Sequence, residues 1–155
     1  MDQTIIRKAT EDDLEELYRF EQGVIEAERP YDPTLKKEFI HYYDLKEMIT
    51  ASHIEIIVAQ FENKIIGSGY ARIEKGKPYL RHIHHAYLGF MYVHPEYRGK
   101  GINKKIIDAL KNWALSKNVK EFRLEVYFNN TSAIRAYEKI GFSKHMIEMR
   151  FNPEE

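Results

Sequence analysis

The spacing of apolar residues divides the chain into short strands and amphipathic helices. Thr4 to Lys8 reads as a first strand, and Thr10 with Asp13 has the spacing of a helix cap ahead of Leu14, Leu17 and Tyr18. Asp32-Pro33 predicts a second helix start, with Pro33 in the first position and Leu35, Phe39 and Tyr43 on one face. His53 to Gln60 and Ile65 to Glu74 predict two strands joined at Glu62-Asn63-Lys64, a hairpin by spacing and turn chemistry. Lys75-Gly76-Lys77-Pro78 makes the next turn. The mostly apolar run Ala86 to Val93 predicts a buried strand that Pro95 ends, and Ile102, Ile106, Ala109, Leu110 and Trp113 recur at helical spacing. A strand at 121 to 128, a helix at 131 to 140 stopped by Gly141, and a last strand near 144 to 151 complete the order. Such an order implies an α/β fold with antiparallel hairpins early and a strand-helix-strand unit late.

The connection between the buried strand and the helix at Ile102 carries the strongest chemical signal. It reads Tyr97-Arg98-Gly99-Lys100-Gly101-Ile102-Asn103-Lys104-Lys105. Backbone N–H groups near Gly99 to Asn103 then sit at a helix N-terminus with few partners of their own, where phosphate oxygens fit. Arg98, Lys100, Lys104 and Lys105 add positive charge, and the two glycines let the backbone approach a pyrophosphate closely. The same residues would also serve as an ordinary connection with a solvated basic face. A second block downstream has the same layout. Leu124, Val126 and Phe128 alternate, Asn130 caps a helix, Ala133, Ile134, Tyr137 and Ile140 share its inner face, and Gly141 ends it.

These two blocks, about the last 65 residues, resemble the GNAT superfamily of acyl-CoA-dependent N-acetyltransferases. The family's pyrophosphate loop falls on Arg98, Gly101 and Asn103, with Asn103 standing where the family usually has Gly or Ala. Its later block falls on Asn130, Ala133, Tyr137, Gly141 and Phe142. The resemblance implies a GNAT-type mixed, mostly antiparallel central sheet with helices on both faces and a splay between the fourth and fifth strands. The whole of 1–155 is then a single acetyltransferase domain. It also implies acetyl-CoA as acetyl donor, held by Met91, Tyr92 and Val93, by Arg98, Gly99, Lys100, Gly101, Ile102, Asn103 and Lys104, and by Asn130 and Ala133. Tyr137 would stand near the thioester sulfur.

Amide formation from an amine and a thioester needs a neutral amine and a proton for the departing thiolate. Tyr137, with an ordinary phenol pKa near 10, can supply that proton. Glu125 is the candidate base; the Leu-Glu-Val run with a tyrosine twelve residues later is similar to bacterial ribosomal-protein N-terminal acetyltransferases, in which the matching Glu acts through water. Without the resemblance, Tyr137 would read as a core aromatic, and Glu125 as a carboxylate paired with Arg123 or a lysine. Glu26, Glu28, Tyr31 and Asp32 occupy the place where such proteins build a substrate wall. His82 and His84 share one face of an extended segment beside His85, but no carboxylate is adjacent in sequence and the chemistry needs no metal. The histidines, His84 among them, read instead as residues at a strand start, either solvated or near the substrate mouth, while Tyr87 and Tyr92 read as packing residues.

Composition narrows the setting. With 43% hydrophobic residues in 155, the chain can fill a full core, and zero cysteines exclude disulfides, a thiol nucleophile and thiolate metal sites. No long apolar run or signal-type leader is read, so a cytoplasmic protein without membrane association is expected. Net charge is zero, yet residues 1–50 hold 13 acidic and 7 basic side chains and residues 51–155 hold 11 and 17. An acidic first part suits a cationic acceptor amine and a basic second part suits a phosphate-bearing donor; a nucleic-acid surface is not expected. The reading is therefore acetyl transfer to a primary amine, on a small molecule or on a protein N-terminus or lysine, by direct attack in a ternary complex. A homodimer is compatible with it. A non-catalytic acyl-CoA-binding or regulatory module on the same fold is the alternative.

Overall fold

The computed structural model describes residues 3–155, which form two compact units, one ending at Glu125 and the other running from Val126 to Glu155. The first contains a five-stranded sheet in the order β1 (Ile5–Lys8), β2 (Ile54–Phe61), β3 (Lys64–Lys75), β4 (His84–Val93), β5 (Phe122–Leu124). The first four strands are antiparallel to their neighbours, and β5 runs parallel to β4. Each pairing follows from the apolar alternation. Ile54, Ile56 and Val58 of β2 join a core with Leu17 and Phe20 of α1 (Leu14–Glu28) and Leu45, Met48 and Ile49 of α2 (Leu45–Thr50). The other face of the sheet takes α3 (Ile102–Ser116), whose buried Ile102, Ile106, Ile107, Leu110 and Ala114 recur at helical spacing. Gly67 and Gly69 of β3 permit that approach, since a Cβ on either would lie 3.2 Å or less from Ile106.

The sheet opens along β4. Ala86, Tyr87 and Leu88 pair with Phe122, Arg123 and Leu124, and beyond Leu88 the β5-facing edge of β4 has no strand partner among the described residues. The fourth and fifth strands thus part midway, as the sequence led us to expect. Within the same stretch β4 carries an extra residue relative to β3, and Phe90 takes φ +57° while its ring is 2% exposed. A left-handed conformation at a bulky residue costs on the order of 1–3 kcal/mol. Burial of the ring in the core offsets it, and the buried Ser68 hydroxyl donates to the Phe90 carbonyl at 3.1 Å.

The helix expected from Asp32 to Tyr43 does not form. After α1 the chain makes one 3-10 turn, Arg29–Tyr31, and stays irregular until Asp44 caps α2 by accepting from the Glu47 N–H. Side chains of α1 hold this segment in place of helical bonds. Glu21, fully buried, accepts from the Tyr42 and Tyr43 N–H groups at 2.8 Å each, Gln22 donates to the Ile40 carbonyl, and Arg29 donates to the carbonyls of Lys36 and Glu38. At the start, the Asp32 carboxylate takes the Thr34 N–H at 2.9 Å and closes a turn.

In the second unit Asn130 caps α4 (Thr131–Ile140) by accepting from the Ala133 N–H at 3.3 Å. Gly141, at φ +122°, ends it with N–H bonds to Tyr137 and Glu138, and the Phe142 N–H bonds to Tyr137 as well. The strand expected near 144–151 is not formed. A strand needs a hydrogen-bonded neighbour, and this unit has no other extended element to supply one. The strand expected at 121–128 shortens to Phe122–Leu124, and the N–H of Asn130 turns back onto the Tyr127 carbonyl.

Candidate active site

The glycine turn has the form of an anion cradle. Gly99 and Gly101 sit at φ +77° and +78°, where L side chains are strained, and a Cβ on either would meet nothing within 4 Å. Space is therefore open beside both. Gly101 is the N-cap of α3 and has no side chain to cap with, and the first helical bond is the Lys105 N–H to the Gly101 carbonyl. The N–H groups of Ile102, Asn103 and Lys104 are left for an outside acceptor. These observations fit a pyrophosphate, and with it acetyl-CoA, at residues 98–104.

The basic residues around the turn differ in availability. Arg98 donates from Nε to the Val93 carbonyl at 2.8 Å, and its guanidinium lies 5.7 Å from the Tyr92 ring centre, so it ties the turn to the end of β4. Lys104 pairs with Asp108 at 2.8 Å, one helical turn away. Lys100 stands over the Tyr97 ring without an anion among the described residues. Met91, Tyr92 and Val93 lie on the open length of β4; Tyr92 also stacks on Phe20 with ring centres 4.8 Å apart.

From β3, β4 and the segment before α2 the structure assembles a feature that the sequence reading missed. Tyr42, Tyr43, Tyr70 and Tyr87 form a row, with ring centres 5.7 Å apart at the first step, 5.5 Å at the second and 6.4 Å at the third. Glu125 lies at the Tyr87 end and accepts from its hydroxyl at 2.8 Å. Arg123 pairs with Glu121 instead, so the expected alternative partner of Glu125 is engaged elsewhere. Burial first, and then the Glu125 carboxylate, push the Tyr87 phenol up from its ordinary value; burial does the same to Tyr43 and Tyr70. These phenols stay neutral throughout the useful pH range. Arg72 stacks over the Tyr70 and Tyr87 rings at 5.6 and 5.2 Å while Glu74 holds its guanidinium at 2.6 Å.

At the Tyr42 end stands Glu28, half-buried at the end of α1. Burial raises its carboxyl, the Tyr42 hydroxyl beside it lowers it and Asp32 raises it, with a net upward shift. The Tyr42 hydroxyl is buried with no hydrogen bond of good geometry, although it faces that carboxylate. Of the other expected acceptor residues, Glu26 pairs with Arg29 at 2.8 Å, Tyr31 is on the surface and Asp32 closes its turn. His84 begins β4 opposite Lys75, exposed. His82 and His85 face each other at 3.3 Å, and His85 meets Glu74 at 3.3 Å; no group of three metal-binding side chains occurs among the described residues. In the second unit Asn130 and Ala133 share the cap of α4, and Tyr137 packs edge-on against Phe142.

Comparison with known proteins agrees with this architecture. The profile of the acetyltransferase (GNAT) family matches residues 11–142, and the chain belongs to that family. It is similar to an N-alpha-acetyltransferase of Saccharolobus solfataricus, at 26% identity over 90% of this chain and 80% of that one. It is also similar to the thialysine N-epsilon-acetyltransferase of Sus scrofa, at 46% identity over 55 residues, or 36% of this chain; the match spans about a third of that enzyme. A predicted acetyltransferase from Clostridium acetobutylicum, solved with acetyl-CoA, has the same fold, with a TM-score of 0.74 at 19% identity over 96% of each chain. No helix among the described residues is long and apolar enough to cross a membrane.

Proposed function

We propose that the protein is an N-acetyltransferase that moves an acetyl group from acetyl-CoA to a primary amine, by direct attack in a ternary complex. The observation that carries this reading is the open glycine turn at the head of α3, lying beside a length of β4 whose β5-facing edge has no strand partner among the described residues. A pyrophosphate takes the amides of residues 99–104, with Lys100 and Arg98 at hand. The main chain of Met91 to Val93 extends along the pantetheine arm, and Asn130 and Ala133 are carried over from the family's later block as donor-binding residues. The bound cosubstrate supplies the reactive thioester.

Glu125 takes the amine proton, directly or through water, with Tyr87 fixing its carboxylate; Tyr137 gives a proton to the departing thiolate. Glu28 and Asp32, with the neighbouring Glu26 and Tyr31, supply the acidic wall that favours a cationic acceptor, and His84 lies at its mouth. Residues 1–155 act as one acetyltransferase domain, in keeping with a family match that runs through both compact units. A chain without cysteine suits a reducing cytoplasm.

The test is thiol release from acetyl-CoA with polyamines, amino acids, aminoglycosides and peptides offered in turn. Amine-dependent release, with the acetylated amine recovered, is the expected result. Tight acetyl-CoA binding with no release for any amine would make the protein a non-catalytic acyl-CoA-binding module.

A further inference from the structure

We propose that Gly23, Tyr92 and Arg98 form a brace that holds the glycine turn at the end of β4, so that Arg98 serves acetyl-CoA as a positioning residue, through the shape of the turn, and Gly23 serves it from α1. The inference rests on the placement of acetyl-CoA at this turn and adds a support on the far face of the sheet. Gly23 lies in the middle of α1, where glycine is a poor helix former. Tyr92 explains its presence. A Cβ on Gly23 would lie 2.5 Å from Tyr92 Cε1 and 3.1 Å from the hydroxyl oxygen, so the ring fills the space an alanine would need. Phe20, one turn earlier in α1, stacks on the same ring with centres 4.8 Å apart and planes 29° apart. Tyr92 is thus seated on α1 by two residues, and the Arg98 guanidinium lies 5.7 Å from its ring centre.

From that seat Arg98 reaches back to the strand. The His94 N–H bonds to the Ile66 carbonyl, so by strand alternation the Val93 carbonyl points to the opposite edge of β4, away from β3. Arg98 Nε donates to that carbonyl at 2.8 Å. The bond ties the residue just ahead of the two glycines to the last residue of β4 and so fixes where the turn begins. Gly99 and Gly101 have no side chains to restrain them, and a turn ordered in advance spares a phosphate ligand the cost of ordering it. Arginine makes both contacts at once, a planar group for the ring and an Nε donor for the carbonyl. Glutamine carries an amide N–H at the same distance along its side chain as Nε, without the charge; lysine keeps the charge but has no donor at that position.

Calorimetric titration of CoA, together with amide nitrogen relaxation of Gly99 and Gly101 in the free protein, tests the proposal. Arg98→Ala and Arg98→Lys should each bind CoA about fivefold to tenfold more weakly than wild type, and Arg98→Gln should restore most of the loss. Gly23→Ala should weaken binding about fivefold when Arg98 is present and should add nothing to Arg98→Ala, because the two residues act in series. In the free protein Gly99 and Gly101 should gain mobility in Arg98→Lys and in Gly23→Ala, but not in Arg98→Gln. Wild-type affinity in Arg98→Lys, with the loss falling on Arg98→Gln, overturns the brace and makes Arg98 a charge for the pyrophosphate. A Gly23→Ala effect of equal size with and without Arg98 overturns the link to α1. If wild type does not bind CoA, the donor site of the acetyl-transfer reading falls; relaxation in the free protein then decides the brace by itself, and unchanged order at both glycines in Arg98→Lys overturns it.

Discussion

Replacement of Gly101 by alanine separates the cost to the fold from the cost to the donor. A Cβ at this position meets nothing within 4 Å, so the substitution brings no clash within the protein. What it brings is an L residue at φ +78°, worth about 1–2 kcal/mol, reduced slightly because alanine loses less entropy than glycine on folding. Urea denaturation should register that loss. If a pyrophosphate accepts from the amides that follow, the methyl group stands in the space it uses. Loss of one charge-assisted bond of about 1.5–3 kcal/mol raises the Kd for acetyl-CoA roughly tenfold to a hundredfold. Calorimetric titration of the folded variant reads this directly. A variant destabilised as expected but binding acetyl-CoA with wild-type affinity would refute the placement of the pyrophosphate.

Three other substitutions probe the remaining parts. Tyr137→Phe should lower kcat about a hundredfold with little change in acetyl-CoA affinity if the phenol protonates the thiolate; a wild-type kcat would return Tyr137 to a packing role. Glu21→Leu should cost about 1–3 kcal/mol in urea denaturation, since it leaves the Tyr42 and Tyr43 N–H groups without the carboxylate oxygen that accepts from both; a loss under about 0.5 kcal/mol would show that the clamp contributes little. Asp13 is desolvated, but its bonds from Arg7 at 2.8 and 2.9 Å and from the Thr10 N–H hold its carboxyl below the usual range. A carboxyl depressed in the folded state stabilises above its unfolded pKa of about 4 and loses that contribution as pH falls through the folded value. The stability gap between wild type and Asp13→Asn should therefore be full at neutral pH and close in acid; a gap independent of pH would show that the charge is not involved.

Periodicity in the sequence located α1, the β2–β3 hairpin, β4, α3 and α4 because each carries its own apolar face. It failed at residues 32–43, where Leu35, Phe39 and Tyr43 have helical spacing but the N–H and C=O groups are claimed by Glu21, Gln22 and Arg29 from α1. Such bonds join residues 9 to 22 positions apart and leave no trace in a local pattern. It failed again at 144–151, where alternation was visible but a pairing partner was not. The glycine turn was legible because its signal is local, two glycines ahead of a helix. The tyrosine row was not, since Tyr42, Tyr70 and Tyr87 come from three elements and Tyr87 meets Glu125 across 38 positions. Eleven tyrosines in 155 residues were the available hint.

The central claim, that acetyl passes from bound acetyl-CoA directly to an amine, is tested most directly by a single turnover with isotopically labelled acetyl-CoA followed by carbonyl NMR. With protein in excess of the label, the thioester signal should persist until an acceptor amine is added, and should then be replaced by the amide signal of the acetylated amine. A thioester that survives every amine, or a label that moves onto the protein before any amine is present, would contradict direct transfer.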